Sequence, residues 1–316
     1  MPTMTVTALT ESNRGRTDPS CVHRPRALAV IFGLAATALL AGCRGPSKPA
    51  AEAAREAATA RQSTITIECP VRGAFGNGPT YYSQYYEDYI LAYVFKDREH
   101  GFYVDVGAND PDDSSVTKYF YLAGWRGINI EPIPELVDKL NKSRPEDTNK
   151  GVAISDTPGE LPFYKGVKNS GLSTLSPSIA ASHRANGYEF TTIMIPVTTL
   201  TAVLDQHAKG KSEITFLNVD VEGFEKQVLS SLDFKRYMPR VVMAEATAPL
   251  TEAATHQQWE SILLDNGYIF AMDDGLNRYY VRKSDEQLLP RFIEANYCVL
   301  RDKLEKRLHL DGFKPR

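Results

Sequence analysis

Residues 101–109 read GFYVDVGAN. Phe102, Val104 and Val106 alternate with Tyr103 and Asp105 and then meet a glycine, which predicts a buried strand ending in a tight turn at Gly107. Immediately downstream, residues 114–123 predict a helix capped by Ser114 or Asp113, and residues 124–127 (GWRG) a turn. Ile128 to Ile130 predicts a second strand that stops at Glu131, because Pro132 cannot continue a central ladder. Pro134 begins the next helix, at a position that tolerates proline. Such a strand-helix-strand-helix unit implies parallel strands joined by a right-handed crossover.

Working outward, the aromatic run of residues 81–95 (YYSQYYEDYILAYVF) places Tyr82, Tyr86, Tyr89 and Tyr93 at helical spacing, with Ser83 as N-cap. A stripe of this kind is expected to be core packing rather than a binding surface. Further strands are expected at Gly151–Ile154, Ile214–Val219, Arg240–Glu245, Tyr268–Met272 and Tyr279–Arg282. Helices are expected at Leu200–His207, Glu222–Leu229 and Gln258–Asp265. Residues 158–199 are less regular and predict a hairpin around Leu161–Tyr164 with a mobile loop. The alternation defines an α/β fold with a doubly wound, mostly parallel seven-stranded sheet.

The chain has 316 residues and a net charge of −3, with 42% hydrophobic and 24% charged residues. This balance excludes nucleic-acid binding by bulk positive charge, and neither disorder nor a polytopic membrane protein is supported. Residues 27–42 form an uncharged apolar run behind an arginine-bearing flank, ending in Leu40-Ala41-Gly42-Cys43. That anatomy is a secretory signal pattern, and it resembles a bacterial lipoprotein leader in which Cys43 would be lipidated. Three parts follow: a leader or membrane anchor over 1–43, an Ala-rich tether over 44–63, and a folded domain over 64–316. The expected location is membrane-associated through the leader, or cytoplasmic if translation starts downstream. Of four cysteines, Cys21 and Cys43 fall in the leader. Cys69 and Cys298 could pair in an exported domain, but the expectation is two ordinary thiols, and no zinc spacing is present.

Ligands of doubly wound sheets bind beyond the carboxyl ends of the strands. Acidic residues stand at those ends: Asp105 and Asp110 around the first, Glu131 after the second, Asp156 beside Ser155 after the third, Asp220 and Glu222 after the fourth, Glu245 on the fifth. Glu131, about two dozen residues beyond Gly107, is spaced to accept two ribose hydroxyls. The turn has a single glycine rather than G-x-G-x-x-G, with Asn109 and Pro111 near the other glycine positions. Asp110 and Asp112 stand where a pyrophosphate would sit. A dinucleotide is thereby disfavoured, as is an NAD-dependent oxidoreductase. A phosphate-free nucleoside with positive charge is favoured, and S-adenosyl-L-methionine is the expected cofactor. Methyl transfer to an alcohol needs orientation and a base, for which Asp220 and Glu222 are the candidates. Both could instead cap the following helix. Asp220, Glu222 and Glu245 could together hold a divalent cation, but acid clusters are usually solvated or hydrogen-bonded, and no metal is assigned.

The run GFYVDVGANDPDDSSVTKYFYLAGWRGINIEPIPE, with GVAISD, SGLSTL, FLNVDVEGFEKQVL, RVVMAEA and DDGLNRYYV, resembles the FkbM-type methyltransferase family over about residues 80–282. The resemblance implies a class I, Rossmann-like, S-adenosylmethionine-dependent methyltransferase acting on hydroxyls of sugars or related small molecules. It implies that Asp105, Gly107 and Asn109 shape the methionine side of the cofactor site. It implies also that Glu131 holds the ribose, and that Ser155 and Asp156 lie near the adenine. An exported domain would lack an obvious supply of the cofactor, so the competing reading is an envelope-anchored lipoprotein that uses the same scaffold for binding without catalysis.

Overall fold

The computed structural model describes residues 5–8, 63–67, 69, 81–208, 210, 213–251 and 253–310. The apolar run 27–42, Cys21 and the lipidation candidate Cys43 lie outside the described residues. Among those described, no helix is long and apolar enough to cross a membrane. The chain divides into two compact units, Met1–Glu68 and Cys69–Arg316. In the first, β1 (Thr5–Ala8) pairs antiparallel with β2 (Ser63–Thr66). Both are short β-branched stretches that the sequence reading did not anticipate.

The second unit is built on seven strands. They are β3 (Phe102–Val106), β4 (Arg126–Ile130), β5 (Thr148–Lys150), β9 (Phe216–Val219), β10 (Val241–Glu245), β11 (Tyr268–Asp273) and β12 (Asn277–Arg282). Their order is β11-β12-β10-β9-β3-β4-β5. The five strands from β10 to β5 are parallel, whereas β12 runs against both its neighbours, so the sheet is mixed. β3, β9 and β10 are buried along their whole length, as expected where helices cover both faces of a sheet. One face packs Val104, Ile128, Leu217 and Val242 against α5 (Leu200–His207), α6 (Glu225–Ser230) and α7 (Glu260–Asp265). On the other face, Tyr103 stacks on Phe216, which also packs at a tilt against Phe120 of α2 (Lys118–Leu122) and Trp125, and Tyr279 packs on Phe292 of α8 (Leu289–Leu310).

A three-stranded sheet is inserted between β5 and β9. It comprises β6 (Ala153–Ile154), β7 (Gly159–Gly166) and β8 (Phe190–Thr198), with β8 central. Its core of Ala153, Phe163, Ile195 and Val197 closes on Leu136 of α3 (Pro134–Ser143). The stretch expected to be a mobile loop contains α4 (Pro177–Ala185), with the Ser176 side chain accepting the Ile179 amide as N-cap.

Several expected boundaries move for physical reasons. The third sheet strand is β5, because Ile128 pairs with Thr148, while the apolar Ala153 and Ile154 leave to pair with Val197 and Thr198 of the insert. The first helix, α1 (Glu87–Val94), begins four residues after Ser83, at a left-handed Tyr86 (φ 75°). Asp88 folds back to accept the Tyr82 and Ser83 amides. Helix α2 is shorter than expected, because Asp110 accepts the Asp112 and Asp113 amides and Ser114 sits at φ 56°. Helix α6 cannot start at Glu222, since Glu222 and Gly223 have φ of 55° and 90°. The Tyr stripe is core, as expected: Tyr86, Tyr89 and Tyr93 are buried, and the Tyr86 and Tyr93 hydroxyls donate to Asp302 and Glu294 of α8. Cys69 and Cys298 are not separate thiols but a disulfide that ties Cys69, at the start of this unit, to α8.

Candidate functional site

A cleft of about 900 Å³ opens at the carboxyl ends of β3, β4, β9 and β10. The bend after β3 forms its floor. Gly107 and Ala108 both donate to the Ile130 carbonyl, which draws the β3 turn onto the end of β4. Gly107 sits at φ 86°, and a Cβ there would lie 1.7 Å from the Asp220 carbonyl oxygen. Only glycine lets these two strand ends approach so closely.

Glu131 is buried beside this bend. Its Oε2 accepts the Asn109 amide at 3.0 Å and its Oε1 accepts the Ile133 amide at 2.8 Å. Burial pushes its carboxyl up to about 7, with those two amides pulling the other way. The carboxylate therefore faces the Gly107 bend. Ile130, Pro132, Ile133 and Ile154 supply an apolar wall next to it.

Asp105 is fully engaged within the protein. It accepts Thr117 Oγ1 at 2.7 Å and Asn218 Nδ2 at 2.9 Å. Thr117 in turn accepts from Arg144, whose buried guanidinium also donates to the Pro111 carbonyl and Ser115 Oγ. Burial raises the Asp105 carboxyl, and the hydrogen bonds from Asn218 and Thr117 oppose it. This relay fixes the loop between β3 and α2. Nothing local in the sequence marks Arg144 for burial.

Asp110 lines the cleft but is paired with Lys139 at 2.7 Å. Partial burial raises its carboxyl, but hydrogen bonds from Lys139 and from the Asp112 and Asp113 amides hold it below its usual value. Asp112 is likewise paired, with Lys118. The charge assigned to this loop from sequence is thus largely compensated. The acids without an ion pair among the described residues lie across the cleft instead.

There Asp220, Glu222 and Glu245 converge from the ends of β9 and β10, each offering an oxygen within 4.8 Å of the others. None of the ion pairs among the described residues involves them. Burial, then repulsion from Glu225 and Asp105, pushes the Asp220 carboxyl up to about 7. Glu222 and Glu245 are raised well above their usual range, first by burial and then by Asp220. Neither Asp220 nor Glu222 caps α6, whose N-terminus has no side-chain cap bond, and the Val221 and Gly223 amides ahead of it donate to Glu225.

The insert supplies the opposite rim, with Lys168 to Ser173 lining the cleft. Ser170 donates to Asn109 Oδ1, and Thr174 donates to the Glu222 carbonyl, so the insert is tied to both strand ends. Gln84, Tyr85, Thr247 and Leu250 complete the rim. Sequence reasoning missed these, because they come from loops without a motif. Asn218 also lines the cleft, and period-two alternation places it on the same side of β9 as Asp220.

The structure does not bring Ser155 and Asp156 into the cleft. Ser155 is buried against Thr198 through its amide, and Asp156 is exposed at the start of the insert. The cause is the transfer of residues 153–154 to the second sheet. His183 is buried against Phe190 and Tyr188, away from the cleft lining, which fits a structural role.

A mixed seven-stranded sheet with helices on both faces, and an acid-walled cleft above a single-glycine bend, is compatible with a methyltransferase. Residues 105–270 match the model of the methyltransferase FkbM domain. The chain belongs to that family, and the match spans both acidic strand ends and the insert between them. The comparison with curated proteins returned no match.

Proposed function

We propose that this protein is an S-adenosylmethionine-dependent methyltransferase that modifies a hydroxyl of a sugar or related small molecule. The observation that carries this reading is the Glu131 carboxylate, buried yet turned toward the Gly107 bend, in a cleft faced on its far side by three acids without an ion pair among the described residues. Bound there, the cofactor supplies a methyl group activated on a sulfonium. Each Glu131 oxygen spends one lone pair on a backbone amide and keeps another for a ribose hydroxyl. The apolar wall at Ile130, Ile133 and Ile154 suits a purine face. The acids at the far end suit a positive charge and disfavour phosphate.

Asp220 takes the proton that the acceptor hydroxyl sheds as its oxygen gains the methyl group. Burial and the neighbouring acids raise the Asp220 carboxyl, which makes its carboxylate a stronger base than that of a free aspartate. Ser170, Ser173 and Thr247 on the rim can bind the other hydroxyls of a polyhydroxylated acceptor. The test is transfer of a labelled methyl group from S-adenosylmethionine to a panel of monosaccharides. Transfer by the native protein and its loss in Glu131→Ala and Asp220→Asn support the reading. Cofactor turnover that Glu131→Ala leaves intact contradicts it.

A second reading has one observation in its favour. The Cys69–Cys298 disulfide is the kind of cross-link that persists outside reducing compartments, in keeping with an envelope-anchored binding protein behind a lipidated Cys43. Cell fractionation, with detection of the lipid on Cys43, decides the compartment.

A further inference from the structure

We infer that Asp220, Glu222 and Glu245 form a divalent-cation site at the ends of β9 and β10. Acid clusters are ordinarily solvated or hydrogen-bonded; here Asp220 and Glu222 are half-buried on the cleft wall, yet two of the carboxylate oxygens are neither solvated nor bonded. Oε2 of Glu222 and Oε2 of Glu245 are both shielded from solvent and have no hydrogen-bond partner among the described residues. The whole Glu245 residue is only 5% exposed.

Asn218 supplies an observation from outside the triad. It is 3% exposed and gives its Nδ2 to Asp105, while its Oδ1 is left without a partner. Asn218 lies two residues before Asp220 and lines the same cleft. Three shielded acceptors that line one cleft and have no donor among the described residues are costly to bury unless something electropositive joins them.

The donor set selects the class of ion. Every available atom is a hard oxygen, with no imidazole or thiolate among them, which favours Mg²⁺, Mn²⁺ or Ca²⁺ over zinc or copper. Three oxygens spread evenly around one ion at about 2.1–2.4 Å stand about 3.6–4.2 Å apart. The three carboxylate oxygens lie within 4.8 Å of one another, so small side-chain rotations bring them to a shared ion. Gathering three acids without a base is otherwise opposed by both desolvation and mutual repulsion. If the proposed methyl transfer holds, a cation here would draw an acceptor hydroxyl toward Asp220 and make its proton easier to remove. The site itself does not depend on that reading.

The test is titration of the chelator-treated full-length protein with MnCl₂, following free Mn²⁺ by electron paramagnetic resonance and omitting S-adenosylmethionine. One ion bound per chain is expected. Glu222→Gln and Glu245→Gln should each weaken binding at least roughly tenfold. Glu135→Gln, which alters only the exposed pair with Lys165, should leave it unchanged. A rise in the melting temperature of the native protein with Mn²⁺, reversed by chelator, reports the same event without any variant. Absence of binding by the native chain, or undiminished binding by Glu245→Gln, overturns the site. Because no cofactor is present, either result leaves the methyltransferase reading to its own test.

Discussion

Gly107 is where fold and site meet, and its replacement by alanine has a cost that follows from the geometry. A Cβ at this position would stand 1.7 Å from the Asp220 carbonyl oxygen and 2.9 Å from its carbon, both backbone atoms. Neither side can yield by a rotamer change. Asp220 is pinned through its amide to the Val106 carbonyl, and Gly107 is pinned through its own amide to Ile130. The left-handed φ of 86° adds about 1–2 kcal/mol for any L side chain. Overpacking a rigid interior adds about 1–3 kcal/mol. Together they give about 2–5 kcal/mol, a large share of the stability of an ordinary domain. Gly275 provides the control, because it has a similar φ of 99° but no atom within 4 Å of an added Cβ. Gly275→Ala should therefore cost only the backbone part. Urea unfolding of the two full-length variants, followed by fluorescence, measures the difference. If Gly107→Ala is no more destabilising than Gly275→Ala, the close approach of β3 to the end of β9 is not as described.

Other expectations follow from the same contacts. Arg144→Lys keeps the charge but loses the fork that reaches Thr117, Pro111 and Ser115, and should cost about 2 kcal/mol in urea unfolding. Glu131 and Glu87 are both pushed up to about 7, with burial the first cause. An acid whose folded value is raised stabilises the fold below its unfolded value and loses that contribution as pH rises. Stability of the ligand-free protein should thus fall from about pH 4.5 to 7, by up to about 1.4 kcal/mol per pH unit for each carboxyl. Denaturant midpoints across that range check the sign, and Glu131→Gln should flatten the slope. Reduction of Cys69–Cys298, which closes a separation of 229 residues, should lower stability by about 2–5 kcal/mol, seen as a lower melting temperature with reductant.

The parallel core was legible because its strands carry their own signal. The alternation in residues 102–106, the glycine behind them and the proline behind Glu131 are local events, and the structure keeps them. What the sequence could not show depends on partners distant in the chain. Ala153 and Ile154 are as apolar as a sheet strand, but Val197 and Thr198 claim them for a second sheet. That loss also removes Ser155 and Asp156 from the cleft. Helix α8 went unread although Phe292, Ala295, Cys298 and Val299 share a buried helical face, because its partner stripe lies about 200 residues upstream. Glu131, Asp220 and Glu222 were legible as candidates because strand ends concentrate function in this architecture. Their different states were not. Asp105 is satisfied by Thr117 and Asn218, and Asp110 is neutralised by Lys139, while Glu222 and Glu245 keep unpartnered oxygens. Only the packed arrangement separates a carboxylate that fastens a loop from one that awaits a ligand.

At the centre stands the hollow over the first two parallel strands as a seat for a cationic nucleoside without phosphate. Calorimetric titration of the full-length protein with S-adenosylmethionine, and separately with NADH, addresses it most directly. One mole of S-adenosylmethionine bound per chain, with NADH giving no heat, is the expected result. Binding of NADH in that hollow, or no heat from S-adenosylmethionine at any workable concentration, would contradict it.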